Sequence, residues 1–170
     1  MPMNLASRER LQPSLLDRLT DLEPDNKRDP ADQQVLSMAA LRQAVLRDLA
    51  WLLNTTNLET TDDLDKTPGV AGSTLNYGIP GFAGLIAASA RTQALEAAIT
   101  KAIKAFEPRI SPESLKVRAR QPRASDGPSA LVFEIHGELW AQPVPQQLFL
   151  ETAIELETRL AIVKDTRPRG

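Results

Sequence analysis

The sequence contains no cysteine, which excludes disulfides, thiol catalysis and cysteine-based metal sites. Histidine is almost as scarce: His136 is the single one in 170 residues, and a metal centre needs more clustered ligands than that. Neither sign of charge dominates. Lys and Arg number 20 against 22 Asp and Glu, a net charge of -2 that gives no reason to expect a nucleic-acid partner. No apolar run approaches the length of a membrane span, and MPMNLASRERLQPS lacks the apolar centre of a secretory signal. The expected location is the cytoplasm, where the match of Asn54-Thr55-Thr56 to a glycosylation pattern carries no weight. There is no GxSxG elbow, no phosphate-binding loop and no HExxH, and no cofactor is expected.

What remains is ordinary soluble composition, 42% hydrophobic and 25% charged. Its length suits one domain, placed at 13–163 between a flexible N-terminal segment (1–12) and a C-terminal tail (164–170). The most informative stretch is TQALEAAITKAIKAFEPRI, Thr92 to Ile110. Ala94, Leu95, Ala98, Ile99, Ala102, Ile103 and Phe106 recur at steps of three and four, which predicts one buried stripe on a helix. Pro108 disfavours the α region at Glu107, so the helix should end near Phe106. An extended chain beyond it would set Glu107 and Arg109 side by side, two apart around a stiff proline. Charges after a helix are most often surface groups worth little individually. Rigidity and position make Glu107, Pro108 and Arg109 the candidate contact with a partner.

Elsewhere, Ser14 with Asp17 three residues on predicts a capped helix over Leu15 to Leu22. Asp29-Pro30 predicts a second helix, from about Ala31 to Leu53. Its apolar face includes Val45, Leu49, Leu52 and Leu53, and Arg47 and Asp48 fall among them as flanking or interface charges. Residues 54–73 read as a long loop. Leu75 and Tyr77 allow at most a short strand before the Gly78–Gly81 turn, and Phe82 to Ala90 suggests a short helix. After Ile110 the period becomes two. Leu115, Val117 and Ala119 alternate with Lys116, Arg118 and Arg120, and Leu131, Phe133, Ile135 and Leu139 with Glu134, His136 and Glu138. Leu148 to Val163 contains good helix formers. The alternation of Ile154, Leu156, Thr158, Leu160 and Ile162 nevertheless favours strand, interrupted near Thr158. The expected class is α+β, with N-terminal helices packed on a small, mainly antiparallel C-terminal sheet.

Four signatures then fall in the order of one family: SLLDRL (Ser14 to Leu19), VLRDLAWLLN (Val45 to Asn54), LNYGIPGF (Leu75 to Phe82) and FEPRI (Phe106 to Ile110). In this order they resemble the TssE family of type VI secretion baseplate subunits, part of the phage baseplate wedge group once labelled lysozyme-like. The resemblance spans about Pro13 to Val163. Two positions depart from it: Gly81 stands where an acidic residue is common, and Thr56 where an arginine is. The resemblance implies a baseplate wedge built with TssF and TssG, contact with TssK, and a sheet edge from which the TssB–TssC contractile sheath grows. The alternatives are the matching wedge subunit of a phage-like contractile tail and, from the old label, a peptidoglycan-cleaving glycosidase. The last needs two carboxylates in a cleft, one kept protonated. The candidate carboxylates are Glu107, Glu134 and Glu138; Glu134 and Glu138, four apart on one polar strand face, read as solvated charges. No enzymatic activity is expected.

Overall fold

Ser14 opens the first helix, α1 (Leu15–Leu19), in a computed structural model that describes residues 14–20, 38–81, 89–126, 130–140, 146–155 and 160–166. A capping box sets its start. Asp17 N–H donates to Ser14 Oγ and Ser14 N–H to Asp17 Oδ2, both at 3.2 Å. The helix closes at Leu19, short of the expected Leu22, because Thr20 is extended and its hydroxyl donates to Leu16 C=O at 2.8 Å. The second helix, α2 (Met38–Leu53), contains neither glycine nor proline and buries Leu41, Val45, Leu49, Leu52 and Leu53. Residues 31–37 of its expected span lie outside the described residues.

The long loop is organised by short turns around α3 (Pro68–Ala71). Leu75 and Tyr77 do not form the short strand their alternation allows. Thr74–Asn76 is a 3₁₀ turn whose start is held by Ser73 Oγ accepting from Leu75 N–H, and Leu75 is exposed. Of the expected helix Phe82 to Ala90, residues 82–88 lie outside the described residues. The principal helix, α4 (Ser89–Phe106), begins three residues before Thr92. It buries Leu95, Ile99, Ala102 and Ile103 as the stripe predicts.

Four antiparallel strands follow as a meander, in the order β1 (Lys116–Arg120), β2 (Ala130–Leu139), β3 (Gln146–Glu155) and β4 (Ala161–Asp165). Val117 opposite Ile135, Phe133 opposite Thr152 and Ile154 opposite Ala161 fix the inward face. Because Ile154 pairs with Ala161, inward positions pass from even numbers in β3 to odd numbers in β4. Leu160 and Ile162, which share the numbering phase of Ile154, are therefore exposed. β4 also continues through Asp165, two residues past the expected boundary at Val163.

α4 lies along the β1 side of the sheet and α2 along the β4 side. Between helices and sheet sits one core, with Val45, Leu49, Leu53, Ile99, Ile103, Phe133, Ile135 and Leu150 fully covered. Each such side chain contributes roughly 1.5–3 kcal/mol, which outweighs any single surface contact. Buried Arg42 fastens α2 to β3 and β4: Nε donates to Asp165 at 2.6 Å, and Nη1 and Nη2 to Gln147 C=O at 3.1 Å. This frame fixes where α2 and α4 end.

Candidate functional site

At the end of α4 the chain does not run on extended as expected. Glu107 N–H donates to Ile103 C=O at 2.9 Å, and Ile110 N–H donates to Glu107 C=O at 3.2 Å. Glu107–Ile110 is a tight turn with Pro108 in its second position, where proline's fixed φ fits. Bonds to the end of β2 decide between turn and extension: Trp140 N–H donates to Arg109 C=O at 2.8 Å, Ser111 N–H to Glu138 C=O at 2.9 Å, and Ile110 bridges Leu139. Ile110 packs there because Gly137 has no side chain; a Cβ would lie 2.9 Å from Ile110 Cγ2.

The turn brings Glu107 and Arg109 together more tightly than an extended chain would. Arg109 Nε donates to Glu107 Oε1 at 2.6 Å and Nη2 to Oε2 at 2.5 Å, a two-pronged pair, while Arg109 N–H donates to Oε1 at 3.1 Å. Arg109 Nη2 also donates to Asp48 Oδ2 at 2.5 Å. Asp48 Oδ1 accepts from Arg47 Nε at 2.8 Å, and Arg47 Nη1 donates to Asp17 at 2.7 Å. Five charges of alternating sign thus run from α4 across α2 to α1. Glu107 retains only 3% exposure, whereas Pro108 is exposed and Arg109 half-buried.

Tyr77 brings in the loop. Its ring meets Phe106 edge-on at 5.2 Å, and its hydroxyl donates to Asp48 C=O at 3.4 Å. Gly78 makes this possible with φ +122°, and a Cβ there would fall 2.3 Å from Thr55 O. Ile79 N–H then donates to Thr55 C=O at 2.9 Å, and Asn57 N–H to Ile79 C=O at 3.0 Å, so the loop is stitched to the end of α2. Thr56, the position of the missing arginine, pairs with Ile79. Gly81 N–H donates to Thr60 Oγ1 at 3.1 Å.

All four signatures therefore line one cleft of about 560 Å³, walled by Ser14, Leu15 and Leu16, by Asp48, Leu49, Trp51 and Leu52, by Tyr77, and by Phe106 to Arg109. Leu15, Leu16 and Trp51 are exposed at its rim, and the Arg47 guanidinium sits 5.1 Å over the Trp51 ring. Burial opposes the charge on Arg109. The bonds and attraction of Glu107, then those of Asp48, outweigh it and hold the guanidinium above its ordinary pKa. Burial, aided by the charges of Asp48 and Glu107, raises the Tyr77 phenol. At Asp17 burial is overcome by bonds from Ser14 and Arg47, which lower its pKa. The arrangement can hold a fixed charge beside an apolar surface, which is recognition chemistry. Sequence reasoning singled out Glu107, Pro108 and Arg109 but missed Asp17 and Tyr77 as their companions; the only sign of Asp48 was its place among apolar positions.

The other candidates lie on the outer face of the sheet. Glu134 is 3.8 Å from Arg120 Nε, Glu138 accepts from Gln147 Nε2 at 2.6 Å, and His136 stands edge-on to Phe149 at 5.2 Å. Among the described residues no group of three or more His, Cys, Asp or Glu side chains could hold a metal, and no helix is long and apolar enough to cross a membrane. No curated protein matches the chain. The sequence model of the family described as baseplate wedge protein gp25 matches residues 39–144, which include α2 from its second residue, α4, the Glu107–Ile110 turn and β2. The matched stretch covers more than half the chain and three of the four segments that meet in the cleft; this protein belongs to the baseplate wedge gp25 family.

Proposed function

We propose that the chain is a structural subunit of a type VI secretion baseplate, joining a TssF–TssG wedge beside TssK and templating the TssB–TssC sheath. It performs no turnover. The observation that carries this reading is the cleft, where exposed Leu15, Leu16 and Trp51 stand beside a rigid Glu107–Ile110 turn. An apolar rim around a fixed charge suits a partner helix whose apolar face covers the leucines. Because Glu107 is buried and bonded within the chain, its role is to hold Arg109, while Pro108 and Arg109 face the partner. Charge in such a place fixes register more than it adds affinity. The wedge of a phage-like tail would use the same surface, and the identity of the partners separates the two settings. A glycosidase reading finds no support in Glu134 and Glu138, each already engaged by a neighbour on the outer face.

The test is co-purification of the tagged full chain from its own cells. TssF and TssG should accompany the wild type. Leu15→Asp changes an exposed position, where substitutions usually stay within ~0.5 kcal/mol. It should therefore keep the wild-type melting midpoint while losing those partners and the fluorescent sheath foci. Retention of both partners by Leu15→Asp would remove the cleft from the interface, and recovery of phage-tail proteins instead would move the subunit to that assembly.

A further inference from the structure

α1 is a helix whose apolar residues stay in water. Leu15, Leu16 and Leu19 keep 71%, 42% and 73% exposure, although α1 walls the cleft through Ser14, Leu15 and Leu16. Five residues do not hold a helix in water by themselves, and the capping box fixes only the start. Among the described residues, one polar contact joins α1 to the rest of the fold: Arg47 Nη1 donates to Asp17 Oδ1 at 2.7 Å. Whatever changes the hold of Arg47 on Asp17 therefore changes how firmly α1 stays docked.

That hold is contested. Arg47 Nε also donates to Asp48 Oδ1 at 2.8 Å, while Asp48 Oδ2 accepts from Arg109 Nη2 at 2.5 Å. Asp48 is thus shared between two guanidiniums, each attracting it against the other. The ladder has three carboxylates, Glu107, Asp48 and Asp17, against two guanidiniums, so one negative charge is already in excess. A fourth carboxylate would sharpen the repulsion, and the member on the least anchored element would leave. Arg109 has room for such a group. Glu107 fills its Nε–Nη2 edge with two bonds and Asp48 takes Nη2 with one, whereas Nη1 has no acceptor among the described residues. A carboxylate seated on the Nη1–Nη2 edge makes two bonds where Asp48 makes one, and so displaces it.

We propose that α1 is a releasable strap on the cleft, and that a partner's carboxylate arriving at Arg109 releases it through Asp48. The proposal rests on the assembly role argued above. Once displaced, Asp48 gives both oxygens to Arg47, and Arg47 lets go of Asp17. As Asp17 leaves, the excess charge returns to one. The freed segment then folds its three leucines against the apolar face of the incoming helix. Engagement of the turn and delivery of the leucines become one event, coupled across α2.

The bond that closes α1, Thr20 N–H to Leu16 C=O at 3.0 Å, reports its release through amide exchange on the full chain. Arg109→Gln leaves Asp48 to Arg47 alone, so Thr20 should exchange about tenfold faster than in wild type. Asp48→Asn leaves Arg47 to Asp17 alone, so Thr20 should exchange about threefold more slowly. The double variant should match Asp48→Asn, because without Asp48 the loss of Arg109 no longer reaches Arg47. Faster exchange in all three variants would be a general loosening of the cleft and overturns the proposal, as does a rate that none of them moves. Arg109→Gln strips buried Glu107 of its cation; should it fail to fold, Asp48→Asn decides alone, slower exchange supporting the strap and faster exchange overturning it. Asp17→Asn frees the strap in advance and should retain the co-purified partners about tenfold more strongly than wild type. Weaker retention overturns release as the step that a partner drives. A wild-type chain that recovers no partner would instead sink the assembly role, leaving the coupling to be judged by Thr20 exchange.

Discussion

Arg109 and Arg120 are both held between carboxylates, one in the cleft and one on the outer face of the sheet. Arg120 Nη1 donates to Asp126 at 2.8 Å and Nε to Glu151 at 3.0 Å. Its task is local, since Glu134 lies directly opposite Glu151 across β2 and β3, a like-charge pair that is destabilising without an intervening cation. Accessible area alone ranks Arg120 as the better covered, at 13% against 22% for Arg109. That ranking misleads, because the carboxylates differ: Glu134 beside Arg120 keeps 39% of its side chain in water. Glu107, by contrast, keeps 3%. The burial of the carboxylate, more than the number of bonds, sets what each arrangement contributes.

Glu107→Ala is the strongest way to break this comparison. It leaves the half-buried Arg109 with Asp48 as its remaining carboxylate and removes a fully buried partner, and should cost about 3–5 kcal/mol in equilibrium denaturation. A loss below ~1 kcal/mol would place Glu107 with ordinary surface charges. Arg120→Ala should cost about 1 kcal/mol or less, and added salt should shrink the difference from wild type further. A salt-independent loss as large as that of Glu107→Ala would erase the distinction. The smallest effect is spectroscopic. Tyr77 is the single tyrosine, so phenolate absorbance during an alkaline titration reports one group. Burial, then Asp48 and Glu107, should place its midpoint above the usual value of about 10. A folded pKa above the unfolded one contributes stability below that usual value, lost as pH rises through the folded value. Glu107→Gln should return the midpoint partway; no movement would mean that the Glu107 charge does not reach the cleft.

Both long helices and the strands were legible because their periods are local: the stripe from Leu95 to Phe106 and the alternation through β1 and β2 needed no distant partner. The turn at Pro108 was not, because proline suits an extended chain and a turn equally well. Trp140 and Leu139, some thirty residues on, decide between them. The charge ladder was invisible for the same reason, since Asp48 and Arg109 are joined only once α2 and α4 are packed side by side. The sequence pointed to Glu107 and Arg109 as one fixture. It did not show that Glu107 is buried and Arg109 half-buried. The face switch between Ile154 and Ala161 depends on pairing register, which single-strand alternation does not contain.

The tight turn at the end of α4 also has a mechanical meaning. Its main chain is tied to β2 through Arg109, Ile110 and Ser111, and its side chains to α2 through Asp48. Hydrogen bonds between antiparallel segments lie across the chain direction, so a pull along β2 strains them together, and yielding requires several to rupture at once. The Arg109 guanidinium divides any pull between two carboxylates on different parts of the chain. Tension entering at this turn is therefore distributed to a helix and a strand simultaneously, which makes the turn a stiff anchorage.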